Sequence, residues 1–202
     1  MERSGVLPTT QFAQRKGVGT CDALFCVSHT LQSLQEAIIV QIDFSAVFGN
    51  VNHLGILYKL WSVGVGGSVL SVLTQFLSNR SQHVMVDGCR SNLVNVVSTV
   101  PQGIFLGPLL YLLYTSELFS ILEHKLIGYA DDSTLMAVVP SPGVRVAVAE
   151  SLIPNLGRVS EWSDLWGMKL NASKTKTMIV SRSRTMHPVT PINYRLNCTE
   201  GI

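Results

Sequence analysis

The chain has 202 residues, 47% of them apolar and only 14% charged, with a formal net charge of +2 at pH 7. Globular domains usually carry about 25% charged residues, and the mean hydropathy here is +0.31, which excludes a disordered chain, a coiled coil and a polyelectrolyte tail. What remains is one compact domain with room for a small second one, or a piece of a larger protein whose apolar surface is built to be covered.

The distribution of charge says more than its sum. Between Asp164 and Glu200 there is no acidic residue, yet Lys169, Lys174, Lys176, Arg182, Arg184 and Arg195 all fall there. Such a local excess can hold a polyanion such as a nucleic-acid backbone, or can be a solvated tail. Cys21, Cys26, Cys89 and Cys198 form no CxxC pair and have no histidine at zinc spacing, so reduced thiols in a nuclear or cytoplasmic compartment are expected. No apolar core follows Met1, so a secretory signal is not expected. Leu60–Asn79 and Asn92–Ser116 lack Asp, Glu, Lys and Arg and are long enough for a bilayer. Glycines, serines and the Pro101 and Gly107-Pro108 interruptions argue against lipid-facing spans, leaving a small membrane protein as a rival reading and no membrane as the expected one.

In chain order, residues 1–22 read as an irregular lead-in, and Asp22 can cap a helix from Ala23 to Leu34 whose Leu24, Val27, Leu31 and Leu34 recur at helical spacing. Ala37–Ile42 is β-branched and nearly all apolar, the pattern of a strand buried on both faces, and it ends on Asp43. Leu54–Val63 and Ser68–Leu77 are expected helices, the second with a one-sided stripe of Val69, Leu70, Val72, Leu73, Phe76 and Leu77 that reads as core. His83–Val86 and Leu93–Val97 flank the turn Asp87-Gly88 as a hairpin. Leu109–Leu122 is an apolar helix. Leu126–Tyr129 and Thr134–Val139 form a second hairpin around Ala130-Asp131-Asp132. A helix from Val144 to Trp166 contains Pro154, where a break or kink is expected. Thr177–Val180 is a last strand. Together these predict an α+β fold, an antiparallel-rich sheet with helices packed on one face.

Three carboxylates stand out. Asp43 ends a strand that should be buried, and a buried carboxylate needs a partner or a cation. Asp131 and Asp132 repel each other in a tight turn, an arrangement easiest to tolerate beside a metal ion. If the two strands are neighbours, the acids converge on a donor set that suits Mg²⁺. Each feature taken singly also has a plain explanation, as a turn residue or a cap.

The order of the blocks is more specific. The chain reads Ile42-Asp43-Phe44-Ser45-Ala46-Val47-Phe48, then Val100-Pro101-Gln102-Gly103, then Leu106-Gly107-Pro108-Leu109-Leu110, then Tyr129-Ala130-Asp131-Asp132, then Leu170-Asn171-Ala172-Ser173-Lys174-Thr175. This resembles the reverse transcriptases of non-LTR retrotransposons, of the jockey-like and long-interspersed-element type, over about Leu7 to Pro188. The resemblance implies an RNA-directed DNA polymerase that adds dNTPs to a DNA primer 3′-end on an RNA template with two Mg²⁺ ions, Mn²⁺ being a possible substitute. It implies that Asp43 and Asp131 bind metal in the palm and that Asp132 stands beside the primer end as a third acid and further ligand. Phe48 matches the aromatic gate against a ribose 2′-hydroxyl. Gln102 and Gly103 match the turn along the incoming nucleotide, Tyr129 the substrate-facing residue of the acidic hairpin, and Lys174 the general acid for pyrophosphate.

The implied organisation is a remnant of the fingers and lead-in over 1–36, a reverse-transcriptase palm over 37–181 and a basic, disordered tail over 182–202, with no thumb. Departures accompany the match: Gly49 replaces an acid, Ile104 replaces a serine, and Pro154 sits in a helix the family keeps continuous. Arg15-Lys16 is the only basic pair near the start and is not assigned as the triphosphate clamp. Truncation is expected to weaken substrate grip, which leaves the activity of this isolated chain open; a non-catalytic relic that binds nucleic acid through its basic tail is the alternative reading, and the oligomeric state is open.

Overall fold

The computed structural model describes residues 5–32, 36–100 and 105–182. From Thr20 to Ser45 the chain forms α1 (Thr20–Gln32), β1 (Glu36–Ile42) and β2 (Phe44–Ser45). From His53 to Thr115 it forms α2 (His53–Ser62), α3 (Gly67–Leu77), β3 (Arg80–Gln82), β4 (Met85–Val86), β5 (Cys89–Arg90), β6 (Val94–Val96) and α4 (Leu106–Thr115). From Lys125 onward come β7 (Lys125–Tyr129), β8 (Asp132–Val139), α5 (Arg145–Trp166), β9 (Lys169–Leu170) and β10 (Lys176–Ser181). The chain divides into two compact units, one holding residues up to Ser45 and from Thr115 onward, the other Ala46–Tyr114.

The first unit is built on a four-stranded sheet in the order β10-β1-β8-β7. All of its pairings are antiparallel. β1 lies second from one edge, and Ala37, Ile38, Ile39, Val40 and Ile42 are all buried, as its apolar run requires of a strand covered on both faces. Ala37, Ile39, Ile127 and Met136 form one face, against which Phe12 and the α1 residues Cys26, Val27 and Leu31 pack. The alternate residues Ile38, Val40, Leu135 and Ala137 are equally buried. At one corner of that second face, buried Glu36 pairs with Arg145 at the start of α5. The mixed helical and antiparallel architecture is the one expected. Helices flank both faces rather than one, because α1 adds a partial cover opposite α5.

Two boundaries in this unit differ from expectation for identifiable reasons. α1 starts at Thr20, and Asp22 sits inside its first turn, where its carboxylate accepts a hydrogen bond from Gly19 N–H at 2.7 Å. The acid thus still satisfies the helix start, from inside the helix rather than before it. α5 runs unbroken through Pro154. Pro154 and Glu150 are exposed, so water can take the carbonyl the proline leaves unpaired, while Leu152, Leu156 and Val159 anchor the opposite, buried face.

In the second unit, Asn52 caps α2 by accepting from Gly55 N–H at 3.1 Å. The Asp87-Gly88 hairpin forms, but β4 pairs with β5 next to the turn and β3 with β6 farther out. Both turn residues have positive φ, +49° at Asp87 and +80° at Gly88, as a two-residue hairpin loop prefers. The α3 stripe read as core is mostly uncovered: of its six residues only Leu77 is buried, and Val69 and Val72 are 57% and 63% exposed. α4 ends at Thr115 and a 3₁₀ turn follows over Ser116–Phe119, so the expected helix to Leu122 is cut short. Among the described residues no helix is long and apolar enough to cross a membrane, which removes the support for the membrane reading.

Candidate active site

Register brings two of the three acids together. Ile42 stands opposite Ser133 in the β1–β8 ladder, so the next step along that ladder places Asp43 beside Asp132. Tyr129 pairs with Asp132 across the two-residue turn Ala130-Asp131. Ala130 adopts φ +56°, a left-handed conformation that costs a non-glycine residue about 1–2 kcal/mol. Asp131 and Asp132 are exposed, whereas Asp43 and Tyr129 are half-buried.

The electrostatics agree with the register. Partial burial pushes the Asp132 carboxyl above the usual carboxylate range, and the charges of Asp131 and Asp43 push it the same way. All three acids therefore share one field, with Asp132 feeling the other two. A cavity of about 350 Å³ adjoins Asp132, which lines it together with Gln41, Gly128, Tyr129, Thr134 and one side of α1. Thr134 Oγ1 donates to Gln41 Oε1 at 2.9 Å, fixing both polar side chains of that lining.

The Leu170–Thr175 block is tied to Asp43 through the backbone. Asn171 N–H donates to the Asp43 carbonyl at 2.8 Å. Asp43 N–H donates to Thr175 Oγ1 at 3.3 Å, and that hydroxyl donates onward to the Asn171 carbonyl at 2.9 Å. Lys174, exposed, rides on this same turn through its N–H bond to the Asn171 carbonyl.

The other expected residues stand elsewhere. Phe48 belongs to the second unit, where its ring packs on Tyr111 at 5.3 Å between centroids and its carbonyl accepts from Val100 N–H at 2.9 Å. Gln102 and Gly103 lie outside the described residues, as does the basic tail beyond Arg182. Arg15 acts locally, its guanidinium donating to the carbonyls of Leu7 and Pro8 and closing the lead-in loop on itself. Gln11 carries no motif in the sequence, yet it is buried beneath the acidic turn and bonded to Ala130. Its only sequence signal is an isolated polar residue in an irregular segment, which no periodicity marks.

The antiparallel sheet with helices packed on it has a palm-like architecture. Residues 2–194 match the family described as reverse transcriptase (RNA-dependent DNA polymerase). The chain belongs to that family. It is 29% identical over 202 residues to the RNA-directed DNA polymerase from mobile element jockey of Drosophila melanogaster, covering 94% of this chain and 22% of that protein. To the probable RNA-directed DNA polymerase from transposon X-element of the same organism it is 27% identical over 197 residues, covering 93% and 21%. These relatives are non-LTR retrotransposon polymerases, and the chain spans about a fifth of their length. Its fold is similar to telomerase from Candida tropicalis in complex with a TWJ fragment of telomeric RNA, at TM-score 0.61 and 12% identity, covering 100% of this chain and 37% of that one. Telomerase from Candida albicans in complex with such a fragment gives 0.59 and 14%, covering 83% and 32%.

The family uses divalent metal ions, and the donor set here can be tested against one. Among the described residues no three His, Cys, Asp or Glu side chains are gathered closely enough to enclose an ion by themselves. A hard cation such as Mg²⁺ does not need such a cage: it takes one or two carboxylates and fills its remaining positions with water and substrate phosphates. Asp43 and Asp131, whose charges both act on the Asp132 carboxyl, fit that requirement.

Proposed function

We propose that this chain carries the palm of a reverse transcriptase, with Asp43, Asp131 and Asp132 as the carboxylates that hold two Mg²⁺ ions, or Mn²⁺ in their place. The supporting observation is the shared field of these three acids, drawn from the end of β1 and the β7–β8 turn. Held by these carboxylates, such cations would supply Lewis acidity toward a primer 3′-hydroxyl and positive charge for the triphosphate and the leaving pyrophosphate. The reaction is addition of a dNTP to a DNA primer on an RNA template: the 3′-oxygen attacks the α-phosphorus, and the bond to pyrophosphate breaks.

The chain's own residues would orient these groups. Asp43 is anchored through its backbone to the Asn171–Thr175 turn, so Lys174 on that turn is the candidate general acid for the departing pyrophosphate. Phe48 is the candidate gate against a ribose 2′-hydroxyl, its ring braced by Tyr111. Tyr129, beside the cavity, is the candidate base- or sugar-facing residue, with Gln102 and Gly103 along the incoming nucleotide. The organisation that goes with this reading is fingers remnant over 1–36, palm over 37–181 and a basic tail over 182–202 that adds backbone affinity.

Primer extension on poly(rA)/oligo(dT) with Mg²⁺ or Mn²⁺ tests the proposal. Wild type is expected to extend the primer with dTTP, and Asp131→Asn to lose at least a hundredfold in rate. Folded wild-type protein that binds the hybrid but never extends it, in either metal, would favour the non-catalytic nucleic-acid-binding alternative.

A further inference from the structure

Gln11 is a long, neutral amide placed where little else could serve. It is 1% exposed, and its side chain reaches the acidic turn 119 residues away in sequence. Gln11 Nε2 donates to the Ala130 carbonyl at 3.2 Å, while Gln11 Oε1 accepts from Ala130 N–H at 3.1 Å. One amide thus grips both polar groups of the residue that holds the left-handed conformation. The same Oε1 accepts from Ala13 N–H at 3.1 Å, which locks the amide's orientation.

The backbone around Gln11 follows the hairpin. Gly128 N–H donates to the Thr10 carbonyl and Phe12 N–H donates to the Gly128 carbonyl, both at 2.9 Å. Gln11 therefore bridges Gly128 in parallel orientation along the open edge of β7. Gly128 is the residue that admits this approach. A Cβ there would stand 2.8 Å from Gln11 Nε2 and 2.7 Å from Phe119 Cζ, closer than real Cβ contacts allow.

We infer that Gln11 is a positioning residue for the acidic hairpin, its buried amide holding Ala130 in the conformation that presents Asp131 and Asp132. This rests on the reading of those acids as cation ligands, though the grip on Ala130 does not. The consequence is that a segment preceding the palm sets the palm's carboxylate geometry. The side-chain bonds of Gln11 go to backbone groups of Ala130 and Ala13; the effect passes through the turn backbone, where small misplacements of ligands are costly.

The test uses the full chain with Gln11→Met, which keeps side-chain volume and removes both bonds to Ala130. Amide hydrogen exchange at Ala130 is expected to speed at least tenfold, with the β1–β8 amides unchanged. Mn²⁺ affinity, read by the electron paramagnetic resonance signal of free ion, is expected to fall at least tenfold. Gly128→Ala, which expels the same amide, should reproduce both changes, and the double variant should be no worse than the worse single one. If Gln11→Met fails to fold, Gln11→Asn serves, since it keeps a neutral amide but is one methylene too short to hold both polar groups of Ala130. Unchanged exchange at Ala130 would overturn the inference, as would faster exchange with unchanged Mn²⁺ affinity, which would make Gln11 merely structural. If wild type and Asp131→Asn bind Mn²⁺ equally poorly, the reading of the acids fails, and exchange at Ala130 alone decides Gln11's hold on the turn.

Discussion

The two units of this chain differ in where their charges and their apolar side chains stand. In the first, apolar runs form a sheet whose central strands are sealed, and the acids of that sheet stand at strand ends and in the turn between β7 and β8. In the second, the only Lys, Arg, Asp or Glu residues between Ala46 and Tyr114 are Lys59, Arg80, Asp87 and Arg90. Its outward positions are filled instead by Leu54, Trp61, Val72, Val86 and Val97, each more than half exposed. An apolar side chain stabilises a fold only where something covers it. The high hydropathy of the whole chain is therefore not a measure of core, and substitutions of one residue type should have opposite weight in the two units.

Truncating a buried residue should separate the units most strongly. Leu135→Ala, at a fully buried position of β8, is expected to cost about 3 kcal/mol in denaturant unfolding. Val72→Ala, exposed on α3, should stay within about 0.5 kcal/mol. Equal losses would mean that α3 is covered in solution and that the contrast between the units is wrong.

A smaller effect distinguishes two ion pairs within the first unit. Glu36 is buried against Arg145, whereas Glu123 and Arg158 meet near solvent with side chains 66% and 38% exposed. Arg145→Met should lower the melting temperature by several degrees, because it strands a buried carboxylate. Arg158→Met should leave it nearly unchanged, since water already screens that pair.

Smaller still is a dependence on pH. The Asp132 carboxyl is pushed above its ordinary range by partial burial, Asp131 and Asp43. The folded state therefore holds its proton more tightly than the unfolded one. That contribution is complete below the unfolded value, about 3.9, and is lost as pH rises through the folded value. Asp132→Asn should accordingly raise the melting temperature at pH 7 and leave it unchanged near pH 3. A variant that melts lower at pH 7 would show that Asp132 is stabilised, not stressed, by its surroundings.

What could be read from sequence follows from how local each cause is. β1 was legible because the five apolar residues within Ala37–Ile42, all buried, admit few other placements. That Asp43 would lie beside Asp131 and Asp132 was legible because acids at the ends of apolar runs meet when those runs pair as neighbouring strands. Gln11 was not, since its partners are on the far side of the chain and the segment around it has no period. α5 ran through Pro154 because burial on its other face outweighed one missing hydrogen bond, a tertiary effect no local rule contains. β2 and β9, two residues each, pair beside the bonds that join Asp43 to the Asn171–Thr175 turn, too short for any sequence pattern to mark.

The central claim is that Asp43 and Asp131, far apart in sequence, belong to one cation site. It is tested most directly by titrating Mn²⁺ into wild type, Asp43→Asn and Asp131→Asn and following free ion by electron paramagnetic resonance. Saturable binding by wild type that weakens at least tenfold in both variants is the expected result. Binding that survives loss of Asp43, or is absent from folded wild type with and without dNTP, would contradict it.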